Sequence, residues 1–433
     1  MPSHHDPSTT PSSVQRNAAH TVRGRRRRLL RRIGPAVFAA SLTCALAVSS
    51  PASSIPQAPS LPSGTYVALG DSYASGYGLP PYAEGTNVRD GNNCQRSSSA
   101  YAHQVAEQTG KTLDFDACSG ARTSDFYQPK ASWGEPAQLD HLDSSTGLVS
   151  FSIGGNDAGF AQILSKCVTQ LPFSTCSGDS AITAPVDSAI DALAGKTTQE
   201  GVTSYDTIMT DIGTRAPNAA VVAVGYPRMF TQQGIGQLFP VPGRCEGLTK
   251  VDQRWINART NDLNAVIKAA ALRHGYQFTD PSDSFTGHEL CGKQGPWFEG
   301  LLEDGRFHPN VAGHKATADS VVSALAAPQA QEAAQDQPAA AEAQLDNVRP
   351  TGSFTLTRDG DQVALDASAS ADVDGVVTNI DWYIQRADGT EDVLTGAQAT
   401  ATVPASEQVT ITAVITDNQG KEDFTTQTAP ATN

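Results

Sequence analysis

The sequence predicts an α/β domain built on a parallel sheet with helices on both faces, followed by a small all-β sandwich. Two observations carry this expectation. From residue 61 to 326, short apolar runs bounded by Gly, Asp or Pro alternate with segments of helical period, the pattern of buried parallel strands joined by crossover helices. Beyond residue 350 the helical segments stop, and short strands separated by Asp-Gly and Gln-Gly turns take over, as in a sandwich.

Residues 1–55 come first in the chain. Arg23, Arg25–Arg28, Arg31 and Arg32 form a basic block, followed by the apolar run Ile33–Val48 and then small residues through Ser53. A charged region, a short apolar region and small residues before a polar stretch read as a secretory signal peptide. The apolar run falls short of the ~20 residues that span a bilayer. The expectation is an exported protein, secreted to the extracellular space.

The α/β domain is expected over residues 61–326. Its strands are predicted at Tyr66–Leu69, Thr112–Phe115, Leu148–Ile153, Ala220–Val224 and Tyr276–Thr279. Its helices are predicted at Ala100–Gln108, Ala181–Leu193, Val202–Arg215, Val251–Arg273 and Val311–Leu325, the last with Asn310 as a good N-cap. Residues 327–349 are rich in Ala, Gln and Glu and read as a linker with partial helical character. The sandwich occupies residues 350–433. Its strands are expected at Ser353–Thr357, Gln362–Asp366, Ile380–Gln385, Thr400–Val403, Val409–Thr416 and Asp423–Gln427, with Trp382 inside.

Composition narrows the function. The 433 residues are 39% hydrophobic and 17% charged, which excludes a wholly disordered chain. The net charge is −15, and removing the eight Arg and one Asp of residues 1–55 leaves −22. Such a surface repels phosphate backbones, so no nucleic-acid partner is expected. Seven cysteines are present; six remain beyond Cys44, an even number that suggests three disulfides in an exported protein. Six cysteines allow fifteen pairings. None has the CxxC spacing of a zinc site, and no metal or cofactor is expected.

Three separated motifs carry chemistry. Gly70-Asp71-Ser72 follows the first strand, so Ser72 stands at the carboxyl edge of the sheet, where α/β ligand sites form. Gly154-Gly155-Asn156-Asp157 follows the third strand, where two glycines admit a close ligand and the Asn156 amide can donate to an oxyanion. His308-Pro309-Asn310 precedes the last helix, and its imidazole can serve a serine as general base. Each motif alone is also an ordinary turn. His314, inside the helix, reads as structural.

Together, and in this order, the motifs resemble the GDSL or SGNH hydrolase family of esterases and lipases over residues 61–326. The resemblance implies a three-layer α/β/α, flavodoxin-like domain with Ser72 as nucleophile and His308 as base. The oxyanion hole it implies is the Ser72 N–H, the Gly120 N–H in CSGARTSDF and the Asn156 side chain. The family places an Asp three residues before its His; this chain has Gly305 there and Asp304 one residue earlier. The chain is similar to a secreted actinobacterial branch in which a main-chain carbonyl replaces that Asp. The Gly305 carbonyl is therefore expected to orient His308, with Asp304 as the alternative. The same branch implies the pairing Cys94–Cys118, Cys167–Cys176 and Cys245–Cys291.

The C-terminal segment resembles a PKD-like or Ig-like module in LDASASADVDG and VTITAVITDNQGKEDF. That implies contact with a cell wall or polymer, or a plain spacer. The expected activity is hydrolysis of a carboxylic ester by a monomer, through an acyl-serine intermediate, on a lipid, an acylated small molecule or a polysaccharide. Alternatives are an inactive hydrolase-like adhesion protein and, among enzymes, a phospholipase or carbohydrate acetylesterase. Acyl-chain preference is expected to rest on loops 78–93, 128–147 and 228–247.

Overall fold

The structure, a computed structural model, describes residues 60–168, 175–232, 234, 245–327 and 337–432. The basic block and apolar run read as a signal peptide lie outside the described residues. Among the described residues, no helix is long and apolar enough to cross a membrane.

Five strands, β1 (Thr65–Gly70), β2 (Leu113–Phe115), β3 (Thr146–Ser152), β4 (Ala220–Val224) and β5 (Gln277–Thr279), form a sheet of order β2-β1-β3-β4-β5. Every pair in it is parallel. This is the flavodoxin-like order, whose ligand crevice opens where β1 and β3 diverge. The helices are α1 (Ser72–Ser75), α2 (Tyr101–Thr109), α3 (Phe160–Val168), α4 (Ser180–Leu193), α5 (Tyr205–Arg215), α6 (Lys250–Arg273) and α7 (Val311–Ala326).

Side chains alternate along the strands and so build two cores. Tyr66, Ala68, Leu148, Val222 and Val224 face α2 and α7, where Tyr101, Val105, Ala318 and Val321 meet them. Val67, Leu69, Val149, Phe151, Val221 and Ala223 face the larger core, which α4, α5 and α6 cover. Burial of each large apolar side chain contributes about 1.5–3 kcal/mol. Both faces of the sheet are apolar, so the strand sequences read as continuous apolar runs.

The predicted α/β/α layers are therefore present, with strand ends within two residues of expectation. Two helices were not anticipated: the single turn α1 and the nine-residue α3. The stretch read as linker contains α8 (Gln337–Asp346), which lays Ala341 and Leu345 into the larger core. Lys196 Nζ donates to the Leu345 carbonyl at 2.8 Å.

The C-terminal part is the expected all-β sandwich, with seven antiparallel strands rather than six: β6 (Thr355–Asp359), β7 (Gln362–Asp366), β8 (Val377–Gln385), β9 (Glu391–Thr395), β10 (Gln398–Thr402), β11 (Val409–Asp417) and β12 (Glu422–Ala429). One sheet is β10-β7-β6 and the other β12-β11-β8-β9. Trp382 is fully buried between them, edge-on to Phe354 at 5.2 Å, and donates Nε1–H to the Gly396 carbonyl at 2.7 Å. The sandwich and the α/β domain belong to one compact unit.

Candidate active site

Ser72 is the first residue of α1, on the turn that leaves β1. Gly70 makes this turn with φ +135°, and the Gln138 side chain clamps it, accepting its N–H at 2.7 Å and donating to its carbonyl at 2.9 Å. Asp71 caps α1 by accepting the Tyr73 N–H at 2.9 Å. Its other oxygen takes a 2.6 Å bond from the Tyr226 hydroxyl, which in turn accepts the Gly155 N–H at 2.9 Å. Burial pushes the Asp71 carboxyl up to about 7 against those two donors. Gly155 is packed so close to the Tyr226 ring that a Cβ would stand 3.1 Å from it.

His308 reaches the same point from the segment before α7. Its Nε2 lies 2.8 Å from Ser72 Oγ. Its Nδ1 lies 2.9 Å from the main-chain carbonyl of Arg306. A carbonyl only accepts, so Nδ1 carries the proton and Nε2 offers its lone pair to the serine hydroxyl. Tyr73 and Tyr77 wall the half-buried ring at 4.9 and 4.8 Å between centroids. Desolvation there pushes the imidazole pKa down to about 4, opposed by the carbonyls of Arg306 and then Gly305. The loop is held in place by the Tyr73 hydroxyl, which donates to the Phe307 carbonyl at 2.7 Å, and by main-chain bonds of Glu299 with Phe307 and His308. Phe307 itself has φ +66°, a left-handed conformation that costs a non-glycine residue energy and turns the preceding carbonyl toward the ring.

The donors expected around the oxyanion border the same cleft as Ser72 and His308: Gly120 and Asn156. The Ser72 and Gly120 N–H groups have no hydrogen-bond acceptor among the described residues. Asn156 gives one amide hydrogen to the Ala121 carbonyl at 2.9 Å, which aims the side chain and leaves its second hydrogen uncommitted. Gly120 adopts φ +74° with open space where a side chain would project. The block is anchored on both sides: the Cys118 N–H donates to the Gly70 carbonyl at 2.9 Å, and buried Asp157 accepts from the Thr123 hydroxyl at 2.7 Å.

The family model for the GDSL-like Lipase/Acylhydrolase family matches residues 68–316. The chain belongs to this family. With it, the chain is a carboxylic ester hydrolase. It is 39% identical over 252 residues to Lipase 1 of Streptomyces coelicolor, covering 57% of this chain and 81% of that protein. It is 37% identical over 290 residues to a lipase of Streptomyces rimosus, covering 66% of this chain and 95% of that one. The crystal structure of phospholipase A1 from Streptomyces albidoflavus NA297 aligns at 34% identity with a TM-score of 0.49, over 60% of this chain and 99% of that one.

In this GDSL-like hydrolase the group that meets His308 Nδ1 is the Arg306 carbonyl, not that of Gly305. The Gly305 carbonyl instead accepts the His308 N–H at 2.9 Å and closes the turn. Gly305 is required for space: a Cβ there would stand 2.9 Å from Gly78 Cα and 3.2 Å from the Tyr77 carbonyl. Asp304 is exposed, and no hydrogen bond among those described joins it to His308. Asp304→Asn should therefore leave kcat/KM within about twofold, as exposed substitutions do. A carboxylate that oriented the imidazole would instead cost ~10⁴ on conversion to Asn. The acid limb of the pH–rate profile, read in the same assay, should lie below 6.5 and stay in place in the variant. Lowering the His308 pKa extends the neutral, proton-accepting form toward acid.

The cleft extends from Ser72 as a cavity of about 420 Å³. Phe160, Leu164 and Val168 of α3, Ile256 of α6, Met229 and Leu301 give it an apolar floor and walls. Of the loops expected to shape it, only 228–247 contributes among the described residues, through Met229. The period Phe160, Ile163, Leu164, Cys167 was the available sequence signal for α3.

The disulfides are Cys94–Cys118, Cys167–Cys176 and Cys245–Cys291. The first adjoins Gly120, and the second holds the end of α3. His314 is buried and serves the α2–α7 contact, accepting the Tyr101 N–H on Nδ1 at 3.2 Å. Burial pushes its pKa down to about 3, with repulsion from His308 as the lesser cause.

Proposed function

We propose that the protein is an exported serine esterase or lipase that hydrolyses esters bearing an apolar acyl chain. The observation that carries this reading is the 2.8 Å approach of His308 Nε2 to Ser72 Oγ, both of which line a largely apolar cleft. His308 Nε2 takes the Ser72 proton as Oγ attacks the ester carbonyl. The Arg306 carbonyl supports the resulting imidazolium by accepting from Nδ1. Negative charge on the carbonyl oxygen is met by the Ser72 and Gly120 N–H groups and the free amide hydrogen of Asn156. His308 then passes its proton to the departing alkoxide, leaving an acyl-Ser72. Water, deprotonated by His308, attacks the acyl carbon and releases the acid and the free serine.

An acetyl group would leave most of the roughly 420 Å³ cleft unfilled, which favours a longer acyl chain over an acetylated polysaccharide. Export is supported by three disulfides, which persist in oxidising compartments. A fluorophosphonate should block p-nitrophenyl ester hydrolysis at one equivalent and be found by peptide mass mapping on Ser72. A modified residue elsewhere, with Ser72 free, would overturn the assignment.

A further inference from the structure

Two apolar walls of the cleft, α6 and α3, are tied to the C-terminal sandwich at the first turn of α6. Ile256 and Thr260 of α6 border the cleft, one and two helical turns after Asp252 on the same face. At the start of that helix, the Lys250 and Val251 N–H groups have no partner within the helix. The carboxylate of Glu391, on β9 of the sandwich, receives both, at 2.6 and 3.5 Å. A negative group at this position also meets the positive end of the helix dipole. The α3 wall hangs from the same turn: Asp252 accepts the Ser177 N–H and hydroxyl, each at 3.0 Å, and Ser177 follows Cys176, the disulfide partner of Cys167 on α3.

The contact is a buried one. Val251 packs with Tyr383 and Val414 of the sandwich in an apolar cluster of its own. Arg254 donates to Asp381 at 2.5 Å, to Glu422 at 2.7 Å and to the Tyr383 hydroxyl at 3.2 Å. Gly178 lies against β12, where a Cβ would stand 2.7 Å from Thr426 Oγ1. A tethered spacer has no use for a nine-tenths buried carboxylate that caps a helix of its neighbour.

We propose that the sandwich is a positioning element for acyl specificity: by capping and clamping the first turn of α6, and through Ser177 the end of α3, it fixes the width of the acyl cleft. The inference rests on the reading that this cleft receives the acyl chain. Glu391 and Arg254 are positioning residues, remote from the reacting atoms.

The test compares kcat/KM for p-nitrophenyl decanoate and acetate in the full-length protein. In Glu391→Ala the decanoate-to-acetate ratio should fall about tenfold, the size of effect that loss of fit to a methylene produces, while acetate hydrolysis stays near the unmodified rate. Glu391→Gln, which keeps one oxygen for the Lys250 N–H, should restore most of the ratio. Thr400→Ala, on the exposed face of the other sheet, should leave it unchanged. Equal loss on both esters in Glu391→Ala would overturn the proposal, because a purely structural role lowers all rates alike. If that variant does not fold, Arg254→Lys decides: a reduced ratio supports the proposal and an unchanged ratio refutes it. An unmodified protein without preference for decanoate would instead defeat the acyl-cleft reading beneath it.

Discussion

Ser72→Ala is expected to lower kcat by on the order of 10⁴–10⁶ while leaving the thermal midpoint in place. Without Oγ there is no nucleophile to accept the acyl group, and His308 has no proton to remove from it. On the proposed mechanism, what survives is the set of oxyanion donors and the cleft, which assist direct attack by water. The fold should not suffer. Ser72 opens α1, but the cap is Asp71, whose bonds to Tyr73 and Tyr226 involve no atom of the Ser72 side chain. Alanine is a good helix former at that position. The hydrogen bond lost is the one to His308, whose ring is half-buried and can exchange it for water. Retention of more than about 1% of the activity, measured on protein free of unmodified enzyme, would sink the nucleophile assignment.

Much of this arrangement was legible in the sequence because its causes are local. Apolar runs cut short by Gly, Asp or Pro gave all five central strands, and the motifs that end β1 and β3 were visible as strand-to-turn transitions. What escaped the sequence depends on contacts between distant segments or on main-chain atoms. The Arg306 carbonyl that meets His308 carries no residue signature, and its direction follows from the left-handed Phe307 and from the Gly78 backbone pressed against Gly305. Tyr73, Gln138 and Tyr226 brace the site through partners 234, 68 and 155 residues away, which no local pattern encodes. The strand β9 escaped for a different reason. It is a short edge strand with two acids in EDVLT, the usual protection of an edge against further pairing, so its composition resembles a turn. Its first residue, Glu391, is nevertheless buried because it serves α6 rather than its own sheet.

Asn156→Ala should cost ~10²–10³ in kcat with little change in KM, the loss that follows removal of one oxyanion donor. The split is what identifies the role. A neutral ester carbonyl gains little from the Asn156 amide, whereas the tetrahedral intermediate carries a full charge on that oxygen, so the lost interaction belongs to the transition state. The substitution also removes the 2.9 Å bond to the Ala121 carbonyl. Leaving that carbonyl unpaired would cost about 1–3 kcal/mol of stability if water cannot reach it, an effect separable by measuring the thermal midpoint alongside the kinetics. Asn156→Asp is the sharper companion. It is close in shape, but an ionised carboxylate accepts only, so the oxyanion would face a negative charge instead of a donor. Its activity should therefore be at least as low as that of Asn156→Ala. Were Asn156 present only to brace the turn after β3, both variants would lose stability and kcat together, and a raised KM would accompany the fall as the cleft deformed. A variant with full kcat and a lowered thermal midpoint would remove Asn156 from the oxyanion hole and leave the two main-chain N–H groups to hold the charge alone.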